Sequence, residues 1–165
     1  MLPVSVSTVI GKSREEVFEY LADIANHAEF TDHYLVDWHL TREQSYGTGA
    51  GARFRVKAPL RARFSWADMT LAELEPPFRI VEQGRGGKFN RVRLLGTYTL
   101  TVGPDESTKV EYTFETKPVQ PSDRLIETLG RRAWTRRQAA KAMRRLRVIL
   151  EEDRDRGQRP SIGGL

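Results

Sequence analysis

The chain has 165 residues, the size of one domain. With 39% hydrophobic and 30% charged residues, it reads as a globular chain rather than a disordered or membrane-spanning one. Cysteine is absent, which excludes disulfides, cysteine-based zinc and iron–sulfur sites and a thiol nucleophile, and makes a reducing cytoplasm the expected address. The net charge is +5, and 21 of the 27 basic residues are Arg. That excess fits anion recognition, since the guanidinium fork pairs with carboxylate and phosphate. It fits the codon usage of a GC-rich genome equally well.

The opening Met1-Leu2-Pro3-Val4-Ser5-Val6-Ser7 lacks the basic region and apolar run of a signal peptide. Residues 4–10 alternate apolar and polar and predict a strand. Ser13-Arg14-Glu15-Glu16 is a capping box, opening a helix whose apolar side is Val17, Phe18 and Leu21. Asp23 restarts a second short helix that runs through Asn26, His27 and Phe30.

From 34 to 117 the period is close to two. Tyr34, Val36, Trp38 and Leu40 are expected on one face of a strand. After the turn Gly47-Thr48-Gly49-Ala50-Gly51 come Ala52, Phe54 and Val56, then Phe64, Trp66, Asp68, Thr70, Ala72 and Leu74. A short strand follows over 78–83, then Val92, Leu94, Gly96, Tyr98, Leu100 and Val102, then Val110, Tyr112 and Phe114. This predicts an antiparallel meander of six strands, apolar on one face and charged on the other. Pro121-Ser122-Asp123 then opens a helix that can run to Asp153, about 30 residues and roughly 45 Å. The expected organisation is a single domain over 1–153 and a flexible C-terminal tail over 154–165.

The last helix alone is large enough to cover the apolar face of the sheet. Ala133, Ala139, Ala140 and Ala142 thin its middle and leave volume over the sheet, as an internal apolar cavity requires. The order of elements, one strand, two short helices, six strands and a long helix, resembles the START-like, or Bet v 1-like, helix-grip fold: α+β, with a seven-stranded curved antiparallel sheet wrapped around the C-terminal helix. Ser13-x-x-x-Val17-Phe18-x-x-Leu21-x-Asp23, Gly47-x-Gly49-x-Gly51-x-Arg53-Phe54-Arg55 and Glu75-Pro76-Pro77-Phe78-Arg79-Ile80 are similar to the polyketide cyclase/dehydrase branch of the SRPBCC superfamily. These are turn and cap motifs, and they carry no catalytic signature. The resemblance implies a protein that holds a hydrophobic or aromatic small molecule, as polyketide cyclase-like and lipid-transport proteins do. Two alternatives are an aromatase/cyclase or dehydrase enzyme, and a basic protein associated with macromolecules or quinone-like lipids. No cofactor is implied.

The residues in phase with the apolar face give the expected lining: Trp38, Phe54, Trp66, Tyr98, Tyr112 and Phe114, with His27 near the mouth as a ligand contact. Asp68 stands in phase with Trp66 and Thr70. A carboxylate facing a cavity would have a raised pKa and could act as an acid or base. A bulge that turns it outward and brings Met69 and Leu71 inward is the competing reading. On a helical stripe through Leu125, Leu129, Ala133, Ala140 and Met143, Arg136 is expected at mid-stripe, where it could hold an anion; the alternative leaves its head in water. Asp68, Tyr98 and Arg136 are thus the catalytic candidates.

The glycines at 47, 49 and 51 precede a strand and fail the context of a phosphate loop. No G-x-S-x-G is present, which argues against a serine hydrolase. His27, His33 and His39 share neither an element nor helical i, i+4 spacing, so no metal site is expected. Residues 131–150 carry eight basic side chains and no acid. They surround the helix and read as a solvated face, with nucleic acid, anionic lipid or an acidic protein as the other partners such charge would serve. A homodimer is compatible with the sequence.

Overall fold

A computed structural model describes residues 1–57, 65–118 and 131–162. Strand β1 (Val4–Ile10) leads into α1 (Arg14–Leu21) and α2 (Ile24–Thr31). Six strands follow: β2 (Leu35–Leu40), β3 (Gly51–Val56), β4 (Ser65–Glu75), β5 (Arg79–Gly86), β6 (Val92–Val102) and β7 (Thr108–Pro118). The last helix, α3, runs Arg131–Glu152; residues 121–130, where the sequence starts it, lie outside the described residues. The strands form one antiparallel sheet in the order β1-β7-β6-β5-β4-β3-β2. Its inner face packs on α1, α2 and α3 around Phe18, Phe30, Leu71, Ile80, Leu100, Met143 and Leu146. This is the helix-grip fold.

The local signals act where they stand in the sequence. Ser13 Oγ accepts from Glu16 N–H, while Glu16 carboxylate accepts from Ser13 N–H. Asp23 accepts from Ala25 N–H at 3.0 Å and starts α2. Every residue of α2 is buried, because α3 covers one side and residues 153–162 another. Of the tail expected to be flexible over 154–165, the described residues 154–162 make tertiary contacts: Gly157 N–H donates to Glu29 O at 2.9 Å, Arg156 pairs with Glu29 and Arg159 with Asp23. Arg145 of α3 bridges Asp32 and Asp155.

Two irregularities reset the strand phase. Asp37 has φ 52°, and pairing of β2 with β3 shifts by one between Val36 and His39. Pairing of β4 with β5 shifts between Leu71 and Glu73. Leu71 and Leu74, three apart, both pack against the core. From Ser65 to Leu71 the inward residues are therefore Ala67, Met69 and Leu71, the reverse of the phase expected from Trp66, Asp68 and Thr70. Asp68 faces outward although its pairing with β3 is regular from Ser65 to Thr70.

Candidate functional site

Two adjoining chambers lie on the inner face of the sheet, the wider against α3 and the deeper against α2. The wider, about 90 Å³, lies among the ends of β3 and β7, the start of β6 and the first turns of α3. Phe54, Val56, Leu94, Phe114, Trp134 and Ala139 form much of its wall. It reaches the surface beside Met1, Arg131, Trp134 and Thr135, all only half-buried. The deeper, about 30 Å³, is bounded by Ile24, His27, Trp38, Glu82 and Tyr98. Tyr34, Leu35, Phe54, Met69 and Tyr112 line both. Close ring packing builds the walls, with Trp38 on Phe54 at 4.5 Å and Tyr98 on Tyr112 at 4.4 Å.

The deep chamber ends on a buried acid–base pair. His27 Nε2 is 2.8 Å from the carbonyl of Leu21, at the end of α1, and Nδ1 is 2.9 Å from Glu82 Oε1. A carbonyl only accepts, so Nε2 carries a hydrogen. The carboxylate then faces Nδ1, and one proton is held between the two side chains. Burial opposes charge on the ring. The hydrogen bond and negative charge of Glu82 outweigh it, helped by the Leu21 carbonyl and Asp23, and raise the His27 pKa. Glu82 fits because its partner across β6 is Gly96: a Cβ there would stand 2.6 Å from Glu82 Oε2.

Three tyrosines surround this carboxylate. Tyr112 Oη donates to Glu82 Oε2 over a long 3.4 Å. Burial, and then the charge of Glu82, push the pKa values of Tyr34, Tyr98 and Tyr112 upward, so all three stay phenols. Among the described residues the hydroxyls of Tyr34 and Tyr98 have no hydrogen-bond partner, yet neither oxygen is sealed in protein. Both open to the chambers. The arrangement is an apolar slot with phenol donors and one ion-paired carboxylate at its closed end.

Of the lining expected from sequence, Trp38, Phe54, Tyr98, Tyr112 and Phe114 are at these chambers, and His27, expected near the mouth, is at the closed end of the deep one. Three residues are not. Trp66 is 39% exposed on the outer face of the sheet, between the guanidinium groups of Arg53 and Arg55. Asp68 is beside it, paired with Arg53 at 3.4 Å; an acid that meets an arginine in water escapes the desolvation cost of the cavity. Arg136 is exposed, since α3 turns Ala139, Ala142, Met143, Leu146 and Ile149 inward. Glu82 is absent from the expected lining; Tyr34 is expected on the face of Trp38 without a place in the lining, and Met69 faces inward only in the competing bulge reading. Glu82 had a signal, its phase with Ile80 on β5. The three histidines are separately engaged: His33 with the Gln138 carbonyl, His39 against Trp66, His27 with Glu82. Among the described residues no group of three or more His, Asp or Glu could hold a metal ion, and no helix is long and apolar enough to cross a membrane.

No curated protein matches the chain significantly. Among solved structures it is similar to the KanY protein, with TM-score 0.71, 11% identity and coverage of 90% of this chain and 97% of that one. Major latex-like protein 151 from Panax ginseng gives TM-score 0.61 at 11% identity over 90% and 96% of the two chains. DynU16, a putative protein of the dynemicin biosynthetic locus, gives TM-score 0.61 at 20% identity, and this chain covers 49% of it while matching over 94% of its own length. Such identities speak for the shared fold alone. The family model described as "Polyketide cyclase / dehydrase and lipid transport" matches residues 1–151, the span that holds the sheet, the three helices and the chambers between them, and the chain belongs to that family.

Proposed function

We propose that this protein binds a small, neutral, apolar or aromatic molecule with one oxygen function seated at the Glu82 end of the slot. The observation that carries this reading is the deep chamber's composition: aromatic walls, two phenol hydroxyls free to bond among the described residues, and a carboxylate already neutralised by His27. Sites of this kind are apolar with a few convergent polar groups. An acidic head group would meet Glu82; a ketone or hydroxyl would accept from Tyr34 or Tyr98. The two volumes suit one ring or a short chain, and Met69, unbranched and flexible, can move aside for more.

A second reading, an acid–base enzyme of cyclase or dehydrase type, is favoured by the proton shared between His27 and Glu82 within reach of the same space. One titration addresses both. Nile red, a neutral apolar dye, should bind the folded protein near one to one. Leu94→Trp, which fills the wide chamber, should weaken binding at least about tenfold, on the scale of losing an anchor contact. Trp66→Ala, on the outer face, should leave it unchanged. Equal effects of the two variants, or dye uptake only on unfolding, would refute the slot. Chemical change of a co-purified ligand, abolished in Glu82→Gln while binding persists, would select the enzyme.

A further inference from the structure

The strand directions give the molecule two poles. At one are the ends of β3, β5 and β7, the starts of β1, β4, β6 and α3, and the opening of the wide chamber. Its exposed charges include Arg85, Arg91, Arg93, Lys117 and Arg132, with Lys57 and the acid Asp37 at the β2–β3 edge. The opposite pole exposes Glu15, Glu16, Glu75, Asp105, Glu106 and Glu152, which outnumber the exposed Lys109, Arg147 and Arg154 there. The charge is therefore polarised along the strands, and the chamber opens on the positive side.

The basic pole is built against its own repulsion. Arg85 and Arg93 are direct cross-strand partners, and Lys117 is the partner of Arg93 on the next strand. Like charges so placed destabilise a sheet. Lys117 has Glu115 at 3.1 Å, and Arg85 stands opposite Asp68 of β4, an acid already paired with Arg53, but Arg85 and Arg93 form no ion pair among the described residues. Beside this row, in the β5–β6 turn, Phe89 is 72% exposed, with the Arg91 guanidinium 4.9 Å over its ring. Leu2, next to the chamber-lining Met1, is also 72% exposed.

Cations at phosphate depth with apolar side chains projecting between them match the boundary of an anionic bilayer, where charge attracts and acyl chains accept the apolar groups. A soluble polyanion would satisfy the arginines and leave Phe89 and Leu2 in water. The acidic pole exposes Phe78 and Val102 too, but its carboxylates are repelled by anionic headgroups, so one orientation is selected. We propose that this pole docks on anionic phospholipid membranes with the chamber opening toward the bilayer. The docking stands apart from ligand binding and is testable on the protein as purified.

The probe is large unilamellar vesicles of phosphatidylcholine, alone or with about one third phosphatidylglycerol, in a flotation assay at two salt concentrations. The protein should float with the mixed vesicles at low salt, much less with neutral ones, and be released at high salt. Each cation near the surface is worth roughly fivefold in partitioning, so Arg85→Ala/Arg93→Ala should weaken it about 30-fold. Arg42→Ala/Lys109→Ala removes equal charge away from this pole and should weaken it less than about threefold. Phe89→Asn, which suits the positive φ of 57° there, should weaken vesicle binding yet leave retention on single-stranded DNA unchanged. All five positions are exposed, and melting curves no lower than wild type would confirm folding. Equal effects of the two charge variants, no preference for anionic vesicles, or no effect of Phe89→Asn on them would overturn the proposal; the last would leave a general polyanion binder.

Discussion

The acid–base pair on the inner face of the sheet and one of those on its outer face differ in nearly everything except chemistry. Inside, His27 and Glu82 meet at 2.9 Å with side chains 3% and 4% exposed. Outside, Arg53 and Asp68 meet at 3.4 Å with side chains 49% and 42% exposed. In water such a pair contributes little, because solvent already stabilises each partner. In the interior each partner depends on the other, since neither can regain the solvation it lost. The sheet thus separates a pair that the chain cannot break cheaply from one it can lose. The first bounds the space where a ligand would bind; the second ties down the outer surface around Trp66.

The largest expected effect comes from breaking the inner pair. Glu82→Ala removes the partner of a buried imidazole and should destabilise the protein by about 3–5 kcal/mol, the usual cost of stranding one member of a buried pair. Replacing both, as His27→Leu/Glu82→Leu, should recover most of that loss, because no charge is then left without a partner. Urea denaturation of both variants measures the difference. A double variant less stable than Glu82→Ala would mean that the polar groups do more than satisfy each other.

A smaller effect should appear in the pH dependence. His27 has a folded pKa above its unfolded value of about 6.5. Its contribution to stability is fully present below that unfolded value and is lost as pH rises through the folded one. Wild-type melting temperature should therefore decline over this window more than that of His27→Gln, which lacks the group. The ring resonances should report a protonated His27 above pH 6.5. A ring that titrates at or below that value would assign the shared proton to Glu82.

How far the sequence discloses this contrast depends on the range of the interactions. The Ser13–Glu16 capping box and the Asp23 cap act within three residues, and both are legible. The alternation that builds the meander is legible too, as are Phe54, Tyr98, Tyr112 and Phe114 on its inner face. The choice between Asp68 and Glu82 is not. Each is an acid in phase with apolar neighbours, but the phase of β4 is reset between Leu71 and Glu73, and Gly96 across the sheet makes room for Glu82 alone. A helical phase extended from Leu125 and Leu129 puts Arg136 on the inner stripe, where the structure does not have it. The spacing Ala139, Ala142, Met143, Leu146, Ile149 indicates the buried face more directly. The pairing of Arg156 with Glu29 and Arg159 with Asp23 joins residues more than a hundred positions apart, beyond any local pattern.

The smallest effect is expected at the outer pair. Asp68→Asn keeps the shape of the side chain and removes its charge. Arg53 remains beside the Trp66 ring at 5.3 Å and keeps access to water, so no charge is stranded. The loss should be below about 1 kcal/mol, the range of exposed ion pairs, and should shrink further at high salt as the remaining attraction is screened. The same denaturation series as for Glu82→Ala gives the comparison directly. A loss of several kcal/mol would mean that Asp68 does more than neutralise Arg53: it would then be fixing the outer face of β3 and β4, and the contrast between the two faces would rest on geometry rather than on water.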